Sequence, residues 1–184
     1  MKIYLAGPEV FHPEAEAIGR AKAALCAEHG FEGRFPLDAT VSGDGLSPHA
    51  HGLAIYRSDI AMMNSCDAII ANLTPFRGPH ADPGTALELG YMLAQGKPCL
   101  AYSTVPGSLA GRLGGGERDA EQHAIEHFDM ADNLMLEGAA SAFGGIAVPE
   151  SPPTGDPFHD FRAFETCLQR LRAKLTARRD AESC

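Results

Sequence analysis

The sequence predicts an α/β fold: a parallel sheet with right-handed crossover connections and helices on both faces. Three observations carry this. Short apolar, β-prone runs (KIYLA at 2–6, DAIIANL at 67–73, PCLAY at 98–102) alternate with helical stretches. The middle run is almost continuously apolar, as a strand covered on both faces requires. The conspicuous Gly- and Pro-rich loops each follow the carboxyl end of a strand, where such sheets bind ligands. With 184 residues the chain can bury a substantial core, so 1–184 is read as a single domain to which the turn-rich segment and helix of 140–184 belong.

The first strand closes at Gly7-Pro8, and the Ala-rich stretch after Pro13 reads as a helix stopped by Gly30. Residues 31–36 can form the second strand. The stretch VSGDGLSPHAHG (41–52) concentrates turn residues and reads as a polar loop before a helix over 53–64. After the strand at 67–73, residues 85–95 read as a helix ending at Gly96, and 98–102 as the next strand. Beyond it the pattern weakens. Residues 106–118 (PGSLAGRLGGGER) read as a flexible loop, 132–145 as a short apolar helix with a Gly stop, and 158–179 as an amphipathic helix.

Fifteen Lys plus Arg against 24 Asp plus Glu give a net charge of -9, which repels phosphate backbones and anionic membranes, so neither nucleic acid nor membrane is an expected partner. No apolar run approaches a membrane span, and no charged n-region with a cleavage site precedes the first strand, so a cytoplasmic protein is expected. Cys26, Cys66, Cys99, Cys167 and Cys184 form no CxxC pair; they read as buried apolar residues and one free tail thiol.

Chemistry concentrates in the run from Asp82 to Tyr91. Glu88 stands on an otherwise apolar helical face (Ala86, Leu87, Leu89, Met92), where a charge needs a reason. One reading is an exposed helix residue with Asp82 as the N-terminal cap. The other is an oriented carboxylate in a dry pocket, held by the Tyr4 hydroxyl and able to attack an electron-poor carbon. Asp67 most simply begins its strand, whereas Asp59 lies on a helix among apolar neighbours and could exchange a proton with a heterocyclic ring. His123, Glu126 and His127 spell HxxEH, but beside a Gly-rich loop this reads as a chance match, so no metal is expected. His49, His51 and His80 read as rim residues. A dinucleotide GxGxxG and a phosphate-binding GxxxxGK[ST] are both missing.

Taken together, YLAGP from Tyr4, Asp59 and Asp67 eight apart, NLTPFRGP from Asn72, Asp82-x-Gly-Thr-x-x-Glu88-Leu-Gly-Tyr and the DNLML run at Asp132-Asn133 resemble the nucleoside 2-deoxyribosyltransferases. The resemblance spans residues 1 to about 138 and implies a flavodoxin-like doubly wound parallel sheet of about five strands. It implies that 2-deoxyribose moves between purine or pyrimidine bases through a covalent glycosyl-enzyme, with deoxynucleosides and free nucleobases as partners and no cofactor. Glu88 would be the nucleophile, Tyr4 its orienting group and Asp59 the acid that protonates the leaving base. Asp82 would bind sugar hydroxyls, and Gly7 and Gly84 belong to the same binding motifs. Asn133 would reach into a neighbouring subunit's site, making a dimer-based homo-oligomer with shared sites. Phe11 and Phe76 could stack the base or serve subunit packing. Deoxy substrates suit such chemistry, because without a 2-hydroxyl the anomeric carbon carries positive charge more easily.

Two rival readings stay open. Related enzymes that hydrolyse deoxynucleoside 5'-monophosphates place Ser where this chain has Asp82, and a Gly/Arg-rich first loop where it has PEVFHP. A carboxylate repels a phosphate but accepts a hydrogen bond from a free 5'-hydroxyl, which favours nucleosides, although Arg57, Ser58 and Arg77 lie nearby in the sequence. A non-catalytic nucleoside-binding protein would have no evident need for Glu88, Tyr4 and Asp82 together.

Overall fold

Alternation along the first strand sorts the molecule into two layers. In the computed structural model, which describes residues 1–39 and 41–182, β1 (Lys2–Ala6) turns Ile3 and Leu5 to one face and Tyr4 and Ala6 to the other. The first face packs on α1 (Ala15–Glu28) and α6 (Arg162–Glu182) through Cys26, Phe164, Leu168 and Leu171. The second packs on α2 (Pro48–Ser65), α3 (Pro83–Ala94) and α5 (Leu134–Ala140) through Met62, Leu89, Met92 and Ala140. Between the layers runs a five-stranded, all-parallel sheet in the order β2-β1-β3-β4-β5, with β2 (Glu32–Arg34), β3 (Ala68–Asn72), β4 (Cys99–Tyr102) and β5 (Ile146–Ala147). Strand order reverses at β1, so a crevice opens beyond the carboxyl ends of β1 and β3.

Gly30 (φ 82) and Gly96 (φ 69) end their helices as the sequence predicts. Four expectations need correction. The helix expected over 53–64 begins at Pro48, because the Ser47 side chain accepts from the Ala50 amide and Pro suits the first helical position. The strand expected over 31–36 is cut to Glu32–Arg34, since the Asp38 carboxylate takes the Phe35 amide at 2.8 Å and turns the chain. The loop expected over 106–118 contains a helical turn, α4 (Leu109–Arg112), capped by Ser108, and Arg112 ties it to the Pro79 and Ala131 carbonyls. The helix expected from 158 begins at Arg162, after a 3-10 turn at Pro157–His159 capped by Asp156. The edge strand β5, two residues long, shows no periodicity in the sequence and is held by pairing Ala101 with Ile146 and Tyr102 with Ala147.

Cys26, Cys66, Cys99 and Cys167 are buried free thiols, and burial pushes Cys26 and Cys167 up to about 12; Cys184 lies outside the described residues. Among the described residues no helix is long and apolar enough to cross a membrane.

A polar network that the sequence did not announce holds the turn after β1. Glu9 is fully buried, and its Oε1 accepts from Lys22 Nζ of α1, from Asn72 Nδ2 at 2.7 Å and from the Tyr102 hydroxyl at 3.1 Å. Lys22 is itself buried, one turn from Ile18 and one from Cys26 on the apolar stripe of α1. Gly7 lies so close that a Cβ there would stand 1.9 Å from Glu9 Oε2 and 2.8 Å from Asn72 Cβ. The network thus clamps the Gly7–Phe11 turn to the ends of β3 and β4. Removing one partner of such a pair leaves an uncompensated charge and costs about 3–5 kcal/mol. Lys22→Ala should therefore lower the melting temperature by roughly 6–20 °C. The double variant Glu9→Gln/Lys22→Met, with no charge left to strand, should lose less than half of that in the same thermal unfolding experiment.

Candidate active site

The Asp82 side chain starts α3: its Oδ2 accepts from the Thr85 amide at 3.0 Å and from the Thr85 hydroxyl at 3.2 Å. A helix started there turns Thr85 and Glu88, three apart, toward the crevice while Leu89 and Met92 enter the core. Tyr4, on the α3 side of β1, meets Glu88 from below: its hydroxyl donates to Glu88 Oε1 at 2.6 Å. The two readings of Asp82 are therefore compatible, since it both caps α3 and lines the crevice.

The crevice is a cavity of about 580 Å³, a size that suits a small ligand. Gly7 and Phe11 from the β1 turn, Asp59 from α2, and Asp82, Gly84 and Glu88 from α3 line it. Chain segments remote in sequence, carrying six of the nine expected site residues, thus converge on one place. His51, expected at the rim, lines the cavity. Other lining residues had not been singled out: Ile55 precedes Asp59 by one turn of α2, so helical spacing back from Asp59 would have found it. Leu37 and Val41 wall the side beyond β2, and His51 Nε2 stands 3.1 Å from the Val41 carbonyl. Arg57 and Ser58 do not line the cavity.

Burial dominates the electrostatics. It pushes the Glu88 carboxyl up; the Tyr4 hydrogen bond opposes this, neighbouring Asp59 and Asp82 add to it, and the result is about 7. Burial also raises Asp59. Tyr4 is raised far above its ordinary value, by burial first and then by Glu88, and remains a hydroxyl donor at any physiological pH. The cavity therefore holds one carboxyl group, Glu88, poised to exist in either protonation state near neutrality, as nucleophilic catalysis requires.

Phe76 stacks on Phe11, with ring centroids 5.4 Å apart and planes inclined by 11°. It touches the cavity's rim residue without lining the cavity itself. Asn133 stands apart from the cavity: it caps α5 by accepting from the Met135 amide at 3.0 Å, and its amide group is 3.4 Å from Glu126. Asp132 beside it accepts from the Ala81 amide at 3.0 Å, so α5 is anchored to the segment that carries Asp82. Asp67 accepts from the Lys2 amide at 2.7 Å at the foot of β3, the simple role expected of it. The HxxEH run is not helical: His123 follows a turn in which Asp119 accepts from the Glu121 and His123 amides, and His127 Nε2 is 2.8 Å from the Gly116 carbonyl. Helical ligand spacing has no meaning there.

Residues 3–135 match the model of the nucleoside 2-deoxyribosyltransferase family, and the chain belongs to that family of enzymes acting on nucleosides and nucleobases. A 2-deoxyribosyltransferase from Leishmania mexicana is 36% identical and superposes with a TM-score of 0.64 over 77% of this chain and 95% of its own. A 2-deoxyribosyltransferase from Bacillus psychrosaccharolyticus, 20% identical over 82% of this chain and 87% of its own, shares the fold with a TM-score of 0.52. An uncharacterized protein of Schizosaccharomyces pombe is 31% identical over 95% of this chain and 90% of its own.

A raised carboxyl also couples stability to pH. The folded protein keeps the Glu88 proton up to about 7 whereas the unfolded chain releases it near 4.5. Between these values the folded state binds more protons, so this group's contribution to stability falls as pH rises. Glu88→Gln escapes the cost while still accepting from Tyr4. Its melting temperature should match the wild type near pH 4.5 and exceed it at pH 8, by on the order of 2 kcal/mol or roughly 5 °C. Equal shifts at both pH values in scanning calorimetry would contradict the assignment.

Proposed function

We propose that this protein exchanges the nucleobase of 2-deoxynucleosides through a covalent 2-deoxyribosyl–Glu88 ester. The observation that carries the reading is the 2.6 Å hydrogen bond from Tyr4 to Glu88 in a cavity also lined by Asp59 and Asp82. The Tyr4 donor holds one carboxylate oxygen in place and favours the ionised form, leaving the other oxygen to attack. That oxygen bonds to the anomeric carbon as the C–N bond breaks. The bond's electron pair goes to the base nitrogen, and Asp59, whose protonated form burial favours, supplies a proton to the departing base. An incoming base then attacks the anomeric carbon, the ester bond breaks, Glu88 regains its carboxylate and Asp59 its proton.

Asp82 Oδ2 is occupied by Thr85, which leaves Oδ1 to accept from a sugar hydroxyl. A 5'-phosphate at that place would face a carboxylate, so nucleosides are the preferred substrates. Gly7 and Gly84 keep the walls thin: a side chain at Gly84 would crowd Asp82 Oδ2 at 2.9 Å. In this reading Phe11 stacks the base, and a second copy of the chain brings its Asn133 to the sugar. The exposed Leu134 and Met135 beside Asn133 and the exposed Leu87 of α3 support such a pairing, which light scattering would detect as a dimer or a multiple of it.

The test incubates purified protein with deoxyadenosine, with and without hypoxanthine or cytosine, and with deoxyadenosine 5'-monophosphate in parallel. New deoxynucleosides should appear only when an acceptor base is present; cleavage of the monophosphate alone would make the protein a nucleotide N-glycosidase. Glu88→Ala should lose transfer by on the order of 10³-fold or more. Wild-type kcat/KM should climb as pH rises through about 7, because attack needs the carboxylate. In Tyr4→Phe the opposing hydrogen bond is gone, so that limb should move to higher pH and kcat fall roughly tenfold to a hundredfold.

A further inference from the structure

The mouth of the cavity carries a cation for which the catalytic reading has no use. The Arg77 guanidinium lies 4.7 Å from the centroid of Phe76 and 5.0 Å from that of Phe11. Among the described residues its side chain takes part in no hydrogen bond and no ion pair. Its backbone is left-handed, φ 55, in a turn closed by the Phe76 amide donating to the His80 carbonyl at 3.0 Å. Left-handed backbone at a non-glycine residue and the ordering of a long side chain both cost free energy. The contact that accompanies both costs is the stack on the two rings.

Phe11 needs such support. It is 55% exposed and lines the cavity, and although the backbone of its turn is held by Glu9 and by the His12–Asp156 contact at 2.8 Å, neither touches its ring. Phe76 comes from a different loop, after β3. A planar guanidinium covering both rings joins the two loops without filling the cavity.

We propose that Arg77 is a positioning residue that locks Phe11 and Phe76 into one preformed aromatic platform at the cavity mouth, and that this platform fixes the strength of nucleobase binding. The inference rests on the proposal that Phe11 stacks the base. A preformed platform spares the base the entropy of ordering the ring against which it stacks. The loss expected on removing Arg77 is that of an exposed cation–π contact, about threefold to fivefold in affinity.

The experiment measures hypoxanthine binding by calorimetry, steady-state transfer from deoxyadenosine and the melting temperature, for wild type, Arg77→Ala, Arg77→Gly and Arg77→Lys. Arg77→Ala should raise the hypoxanthine Kd and the deoxyadenosine KM about threefold to fivefold, with kcat changing less than twofold. Arg77→Lys should recover part of the loss, since the charge returns without the plane. Arg77→Gly is the decisive variant: relief of the left-handed backbone should hold or raise the melting temperature while base binding weakens as in Arg77→Ala. A purely structural arginine would lower stability and binding together, and that outcome overturns the inference. So does wild-type Kd in both Arg77→Ala and Arg77→Gly, with base exchange itself left standing. Failure of the wild type to bind or transfer any base would overturn the underlying reading as well.

Discussion

Burying the Glu9 carboxylate requires that donors converge on it, and they come from three separate elements: Lys22 of α1, Asn72 at the end of β3 and Tyr102 at the end of β4. Asn72 and Tyr102 close their strands, and Lys22 stands midway along α1. Two strand ends and one helix are thereby fixed relative to one turn, and that turn carries Gly7 and Phe11. Asn72 extends the constraint outward, because its Oδ1 accepts from the Thr74 amide at 2.9 Å and Thr74 in turn meets Thr104. The rim of the sheet is a connected polar lattice, and the cavity is defined against it.

The molecule buries two glutamates and treats them oppositely. Glu9 gathers an ammonium and two further donors on Oε1, while its Oε2 is buried without a hydrogen-bond partner. Glu88 has a single neutral donor, Tyr4, and two acidic neighbours. Glu9 is sealed from solvent beside its ammonium, whereas Glu88 borders the cavity and has no cationic partner. A developing oxocarbenium ion at an anomeric carbon would be such a partner, in the transition state rather than in the ground state. With Glu88 as the proposed nucleophile, the pair would divide structural and reactive roles of one side chain by the donors each is given.

Much of the architecture could be read from the sequence, because its strands are apolar runs and its helices are stopped by glycine. Glu88 and Asp59 were legible for the opposite reason, each being a charge among apolar helical neighbours, whereas Tyr4 and Asp82 were legible through the motifs they belong to. What escaped was of two kinds. Short elements such as β5 and α4 are held by tertiary contacts, Tyr102 with Ala147 and Arg112 with Pro79, which leave no periodic trace. The Glu9–Lys22 pair was hidden because Lys22 looks like an ordinary helix charge until the stripe Ile18–Lys22–Cys26 is drawn. The early start of α2 lay in plain view in Ser47-Pro48, masked by the His and Gly residues that follow it.

The wall of the cavity beyond β2 hangs from a three-residue edge strand and returns to the core only through α2. Asp59, Asp82 and Glu88, which line the cavity, all stand outside it. Leu37 and Val41 can therefore drift, lengthen or be replaced in descendants of this chain without disturbing Glu88 or its tyrosine. Such an arrangement separates the evolution of what the enzyme accepts from the conservation of what it does, and it marks the segment between β2 and α2 as the place to engineer substrate scope.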